Sequence, residues 1–163
     1  SFEKFITNLP FYGISIINED DTNLKKIIQK NDTRKIVTFS LKNKKSNVFV
    51  NKIHFDNQYS YFTLNLNFSD YKLSKSYSYK LKANGLHNIY NATASIIAGH
   101  LVGVKNSFIK DALKNYIGVK RRFTHLGKVN LANIYDDYAH HPTEIKEVIE
   151  GISNSYKEKK IML

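Results

Sequence analysis

The sequence predicts an α/β protein, and three observations predict it. Near the start, a short apolar strand, a helical repeat and a second short strand follow one another, the order of a parallel α/β unit. Between residues 47 and 81 the chain runs in long alternating segments rich in Tyr, Phe, Val and Thr, as antiparallel strands with one wet face do. From residue 88 onward helical spacing returns, bounded by glycines, and gives way to two further strands and a last helix.

Taken in order, Phe2, Phe5, Ile6 and Leu9 recur at helical spacing until Pro10 ends the run. Gly13 to Ile17 reads as a buried strand. Asp20 or Asp21 then caps a helix whose inward face is Leu24, Ile27 and Ile28, and Ile36 to Phe39 is the next strand. Asn47 to Phe55, Tyr59 to Phe68 and Tyr71 to Leu81 are the antiparallel strands, with Asn57, Asn67 and Asp70 where turns are wanted. Their aromatic residues read as sheet core and cross-strand pairs; stacking on nucleic-acid bases is the other use of such rings. Asn88 to Val102 is a helix with Ile89, Ala92, Ile96 and Ile97 apolar, stopped by Gly103. Ser107 caps a shorter helix to Tyr116, ended by Gly118. Strands at Arg122 to Val129 and Leu131 to Tyr135 follow, and Pro142 opens the final helix at its favoured first position. The domain junction falls near Gly118, dividing 1–117 from 118–163, with no internal repeat and no low-complexity linker.

Composition narrows the class. A chain of 163 residues holds one ordinary domain or parts of two small ones, and 42% hydrophobic with 13% aromatic residues fits a globular protein. There is no cysteine, so neither disulfides nor thiolate metal sites contribute. No apolar run approaches the ~20 residues that span a bilayer, and Ser1-Phe2-Glu3-Lys4 does not begin a signal peptide. Both ends read as cuts through a longer protein. The formal charge of +11 invites a polyanion. Yet Lys25, Lys26, Lys30, Lys44, Lys45, Lys72 and Lys75 are scattered, not gathered in one stripe, so solvated lysines are the favoured reading.

Three segments ask for more than a structural explanation. In Gly85-Leu86-His87-Asn88-Ile89-Tyr90-Asn91-Ala92, the glycine permits tight entry into a helix, and His87, Asn88 and Asn91 share its first turn beside the positive dipole end. Ligand contact and simple capping are both open there. In Gly118-Val119-Lys120-Arg121-Arg122-Phe123, paired arginines suit phosphate or carboxylate, or form a solvated basic turn. In Asp136-Asp137-Tyr138-Ala139-His140-His141-Pro142-Thr143-Glu144, carboxylates, imidazoles and a phenol follow a strand and precede a helix, where open α/β sheets gather ligands. Asp136, His140 and His141 suggest a metal, but adjacent residues rarely converge on one ion and no metal site is assigned. A helix cap is the bland use of the same groups.

Read together, G-x-H-N-x-x-N-A, G-x-x-R-R-F and D-D-Y-A-H-H-P-T-E resemble the Mur ligases, specifically the branch that joins L-alanine to UDP-N-acetylmuramate. The opening Phe5-Ile6-Thr7-Asn8-Leu9-Pro10-Phe11-Tyr12-Gly13 and Asp20-Asp21 extend the resemblance over nearly the whole chain. It implies that 1–117 is the second half of the central ATP-binding domain, and 118–163 the start of a Rossmann-like C-terminal domain. It implies that Asn88 and Asn91 lie by the adenine with His87 in the same motif, that Asp137 holds the ribose, and that Arg122 meets the ATP phosphates as the catalytic residue. Tyr138 and His140 would line the L-alanine end of the substrate pocket. The implied partners are ATP, UDP-N-acetylmuramate and L-alanine, without nucleic acid or membrane, in the bacterial cytoplasm. The implied chemistry is ATP activation of a carboxylate to an acyl phosphate that the alanine amine attacks.

Mg²⁺ is the implied metal, held in the family by residues earlier than these. The chain departs from the family pattern in lacking a G-x-x-x-x-G-K-[ST] phosphate loop, so the isolated chain is expected to have no ligase activity. Two rivals remain. The branch that adds a tripeptide to the same sugar shares R-R-F and D-D-x-A-H-H-P-T, and Tyr138, Glu144 and the opening segment favour the alanine branch. A basic, non-catalytic nucleic-acid-binding module would use the Tyr-rich sheet, and it leaves the clustered Asp and His residues unexplained.

Overall fold

The computed structural model describes residues 2–30, 35–56, 58–68, 73–119, 123–155 and 161–162. Arg122, Lys120, Arg121, Asn57, Asp70, Tyr71, Lys72 and the stretch 156–160 lie outside the described residues. The chain divides into two compact units, Ser1–Tyr116 and Ile117–Leu163.

The first unit opens with helix α1 (Phe2–Thr7), then strand β1 (Ser15–Asn18), helix α2 (Thr22–Lys30) and strand β2 (Ile36–Ser40). β1 and β2 are parallel, with Ser15 opposite Ile36 and Asn18 opposite Phe39, the expected strand–helix–strand unit. Asp21 is the cap of α2: its Oδ1 accepts the N–H groups of Asn23 at 2.8 Å and Leu24 at 3.0 Å. Asp20 does not cap α2 but bonds across to Ser40 and Leu41. Leu24, Ile27 and Ile28 are the half-buried side of α2.

Three longer strands continue the sheet: β3 (Val48–Phe55), β4 (Ser60–Phe68) and β5 (Leu73–Leu81), in spatial order β1-β2-β3-β4-β5. β4 runs antiparallel to β3 and to β5, as the alternation predicts. β3 pairs with β2 in parallel, only through Phe39 with Val48 and Ser40 with Phe49. A parallel neighbour normally needs a long crossover. Here the strands are staggered, so the short link 41–47 need only turn the chain, not carry it back along β2. The turn into β4 is made by Asp56, whose Oδ1 accepts the N–H of Gln58 and of Tyr59. Asn67 is no turn residue: it lies within β4, and its amide donates to the carbonyls of Lys44 and Ser46, tying down the link before β3.

Helix α3 (Leu86–Leu101) crosses one face of this sheet, followed by α4 (Asn106–Lys114). Ile89, Ala92, Ile96 and Ile97 of α3 pack on Val37, Phe39, Val48, Val50, Phe62, Leu64, Tyr79 and Leu81, with Ile109 of α4 closing the cluster. Phe62 and Tyr79 are stacked inside it, 5.8 Å apart, so these rings serve the core as expected of them. Ser107 does not cap α4. The cap position is Lys105, no side chain caps it, and Asn106 instead accepts the Tyr79 hydroxyl at 2.7 Å. The helix ends at Lys114, short of the expected Tyr116.

The second unit has a hairpin of β6 (Thr124–Val129) and β7 (Ala132–Asp136), then helix α5 (Pro142–Ser155) with proline at its first position. Asn130 turns the hairpin at φ 51°, a left-handed conformation Asn tolerates. Among the described residues, no helix is long and apolar enough to cross a membrane.

Candidate functional site

The tip of α3 is shaped by Gly85, which takes φ 103° and ψ 146° at the cap position. A Cβ built there would stand 2.9 Å from His87 Cε1, because the imidazole folds back over the glycine. The N–H groups of Asn88 and Ile89 both return to the Gly85 carbonyl, at 3.1 and 3.3 Å, and no side chain caps the helix. Asn88 is therefore not an N-cap. Its amide donates to the Asn84 carbonyl at 2.8 Å, while His87 and Asn91 stand exposed on the same turn.

What sets this tip against the sheet is a carboxylate that follows β1. Asp20 Oδ1 accepts the Ser40 hydroxyl at 2.5 Å; Oδ2 accepts the Leu41 N–H at 2.8 Å and the Tyr90 hydroxyl at 2.9 Å. Ser40 Oγ in turn accepts the N–H groups of Lys42 and Asn43. Next to Asp20, Glu19 accepts Asn43 Nδ2 and the Ser46 hydroxyl. One acidic residue thus joins the end of β1, the end of β2 and the first turns of α3. The α3 tip lies at the carboxyl ends of two parallel strands, the end at which open α/β sheets bind ligands. Burial works to raise the Asp20 carboxyl, but the bonds from Ser40, Leu41 and Tyr90 outweigh it and hold it below the ordinary carboxylate value. Burial, then the Asp20 bond, push the Tyr90 phenol up, so it stays a donor.

Sequence reasoning missed Asp20 as an anchor and Tyr90 altogether. The signal was there in part: two adjacent aspartates precede α2, and a helix has one cap position, so one of them was surplus. Tyr90 falls at an open position of G-x-H-N-x-x-N-A, and only the fold brings it to Asp20.

In the second unit, Asp137 follows β7, and both of its oxygens are engaged. Oδ2 accepts the Phe123 N–H at 2.8 Å and Oδ1 the Ala139 N–H at 2.7 Å. Phe123 holds φ 47°, and its ring lies flat on Tyr135 at 4.4 Å. Tyr138, 60% exposed, meets the His140 ring edge-on at 5.2 Å, and His140 Nδ1 lies 3.1 Å from the Tyr138 carbonyl. The rest of the segment starts α5. Glu144 Oε2 accepts the N–H groups of His140 and His141, while His141 Nδ1 accepts the Thr143 N–H at 3.3 Å. Glu144 at the third helical position supplies one half of a capping box, while the N-cap imidazole meets the second N–H instead of the third. The backbone N–H bonds from His140 and His141 hold the Glu144 carboxyl below its ordinary value.

The structure therefore brings His87, Asn88 and Asn91 together on the α3 tip, and Asp137, Tyr138 and His140 together after β7. Arg122 lies outside the described residues, immediately before Phe123 in sequence. Among the described residues no three His, Asp or Glu side chains stand together to hold a metal, so Asp136, His140 and His141 form no such site and no magnesium ligand set is found in them. A cavity of about 120 Å³ lies by the last turn of α3, lined by Leu64, Tyr77, Tyr79, Ile97, His100 and Leu101 among others. It is apolar, about 20 Å along the helix from His87 by the α-helical rise, and contains none of the expected site residues.

Residues 1–99 match the family model described as Mur ligase middle domain, and residues 121–163 the one described as Mur ligase, glutamate ligase domain. The chain is 39% identical to the UDP-N-acetylmuramate–L-alanine ligase of Hydrogenobaculum sp. (strain Y04AAS1), over 100% of this chain and 34% of that protein. It is 38% identical to the enzyme of the same name from Pelagibacter ubique (strain HTCC1062), over 99% of this chain and 34% of that protein. Among solved structures, the murein peptide ligase of Psychrobacter arcticus 273-4 superposes with a TM-score of 0.73 at 28% identity, covering 97% of this chain and 32% of that one. The chain thus spans about a third of the length of the curated relatives it matches. A mixed sheet with a glycine-entered helix at its carboxyl edge, a polar turn following a hairpin, and these two family matches agree: the chain belongs to the Mur ligase family.

Proposed function

We propose that the protein carrying this chain joins L-alanine to UDP-N-acetylmuramate in an ATP-dependent reaction, and that this chain supplies nucleotide and amino-acid contacts for it. The observation that carries the reading is likeness to ligases of that name, spanning 99–100% of the chain, all three motif segments included. The geometry is compatible. His87, Asn88 and Asn91 present an imidazole and two amides at the strand ends, the hydrogen-bonding groups an adenine edge requires. In this reading residues 1–117 belong to the central domain and 118–163 to the C-terminal one.

The chemistry begins with attack of the sugar carboxylate on the γ-phosphorus, releasing ADP and leaving an acyl phosphate. The alanine amine then attacks the acyl carbon, phosphate departs, and the amine loses a proton. Phosphoryl transfer of this kind needs positioning and charge neutralisation more than covalent help from the protein. Arg122 neutralises charge on the transferring group; Asp137 accepts the ribose hydroxyls; Tyr138 and His140 face the alanine. The metal such transfers use would be held by residues other than those described here, and the reaction belongs in the cytoplasm, where its nucleotide substrates are.

A second reading has its own support, because the solved structure reported above is a murein peptide ligase. Tyr138, Glu144 and the opening segment favour the alanine branch by motif, while Glu144 also caps the start of α5. Tyr138 is exposed beside His140, where a ligand can reach it. The test is an ADP-release assay on the intact protein with UDP-N-acetylmuramate, ATP and either L-alanine or the tripeptide. Turnover with alanine alone supports the proposal. Turnover with the tripeptide alone transfers the protein to the other branch. Silence with both, alongside tight salt-sensitive oligonucleotide binding, would favour the non-catalytic module.

A further inference from the structure

We infer that Tyr90 and Asp20 are positioning residues for nucleotide binding: the hydrogen bond from the Tyr90 hydroxyl to Asp20 Oδ2 sets the rotation of the first turns of α3, and with it the direction of the Asn88 and Asn91 amides. The inference rests on the proposed function, which assigns those amides to the adenine.

Three features point to it. First, α3 is held to the sheet mostly by Ile89, Ala92, Ile96 and Ile97, and apolar packing is non-directional. It holds the helix on the sheet without itself aiming the polar side chains at the tip. Second, the tip lacks a side-chain cap, and the Asn88 amide turns back locally onto Asn84. The segment before the tip is held separately, by the Asn84 amide on the Asp56 carbonyl after β3, so among the described residues the Tyr90 bond is the side-chain tie from the first turns of α3 to the ends of β1 and β2. Third, its acceptor is not free to follow the helix. Asp20 is fixed on its other side by Ser40, which is fully buried, and by the Leu41 N–H.

The geometry also says how much such a tie matters. Tyr90 is one residue, about 100° around the helix, from Asn91. At a side-chain radius of about 6 Å, a rotation of about 20° moves an amide by about 2 Å. A hydrogen bond is lost over a much smaller displacement. The ring of Tyr90 keeps its place beside Phe39, 6.4 Å away, without the hydroxyl, so removing the oxygen leaves the packing intact.

The experiment compares Tyr90→Phe, Asp20→Asn and the double variant in the intact protein, reading the KM for ATP, kcat at saturating ATP, the KM for alanine and the melting temperature. Tyr90→Phe is expected to raise the KM for ATP by up to about tenfold, the worth of one misdirected amide–adenine hydrogen bond, while kcat and the alanine KM stay within about twofold by the same reasoning. The two substitutions act on one bond, so the double variant should raise the KM for ATP no further than Asp20→Asn does. A merely structural role would lower the melting temperature without this split. If the wild type binds ATP and Tyr90→Phe binds it equally well, the positioning role is overturned while the proposed function stands. If the wild type binds no ATP, both fall. Should Asp20→Asn fail to fold, the near-isosteric Tyr90→Phe decides alone.

Discussion

Replacing Gly85 by alanine introduces a methyl group 2.9 Å from His87 Cε1 and 3.0 Å from Nδ1, on a backbone held at φ 103°. Two costs must be separated. The backbone conformation, with ψ 146°, belongs to a region that is essentially glycine's alone, and a side chain there costs about 1–3 kcal/mol. The close contact is relieved more cheaply, since the neighbour is an exposed imidazole that can swing away. Most of the stability loss is therefore backbone strain, and the functional loss comes from the displaced His87.

Gly103 provides the comparison. It has φ 83°, and a Cβ there would meet nothing within 4 Å, so Gly103→Ala carries strain without the collision. Urea unfolding of the intact protein should show both variants destabilised by about 1–3 kcal/mol. Only Gly85→Ala should also weaken ATP binding, by an expected factor of about ten or less, one lost hydrogen bond. Wild-type stability together with wild-type ATP affinity in Gly85→Ala would refute this account of the α3 tip.

Other substitutions probe the second unit. Arg122→Ala should cut turnover of the intact protein about a hundredfold or more while leaving its melting temperature nearly unchanged, as for loss of a charge-stabilising group; near-normal turnover would reject the role. Asp137→Asn should lower kcat/KM and raise hydrogen exchange at the Phe123 and Ala139 amides, because an amide cannot accept at both of its heavy atoms. Glu144 gives a pH test. Its carboxyl lies below its ordinary value of 4.5 in the fold, so its contribution is present above that value and lost as pH falls through the lower one. Protection of the His140 and His141 amides should fall in that window below pH 4.5 and lose this dependence in Glu144→Gln.

Much of the chain's local organisation was legible because local rules write it. Pro10, Gly103 and Pro142 punctuate helices through backbone constraints that act within a few residues. The alternation of 47–81 set the faces of β3, β4 and β5 because a side chain on a strand has a period of two. What the sequence did not disclose was non-local. The staggered parallel pairing of Phe39 and Ser40 with Val48 and Phe49 has no local signature. Ser107 looks like a cap, but the cap position is Lys105, two residues earlier, and Asn106 at the first helical position accepts from Tyr79 on a strand 27 positions away in sequence. Asn67 looks like a turn residue and instead laces β4 to the link before β3. The candidate site divides along the same line. Its residue types are written in motifs, whereas the division between groups bonded within the fold and groups left exposed depends on the three-dimensional surroundings of His141, Glu144 and Asp20.

Asp137 shows why a residue can serve the fold and still serve a ligand. Its two oxygens each accept one backbone N–H, from Phe123 and from Ala139. An ionised carboxylate has about four lone-pair sites, so about two remain, and they can only accept. Ribose hydroxyls are donors and fit that remainder; a phosphate oxygen, a pure acceptor bearing negative charge, does not. The same count explains the choice of aspartate over asparagine. An amide would meet one of the two N–H groups with its own N–H, breaking a bond on which the turn after β7 depends and removing a place for a hydroxyl. The two backbone bonds also fix the carboxylate before any ligand arrives, so binding need not restrain a loose side chain. On this argument the proposed ribose contact draws its selectivity from the bonds that hold the turn. A variant that preserved the turn but still discriminated against nucleotides lacking ribose hydroxyls after losing the carboxylate would break the link.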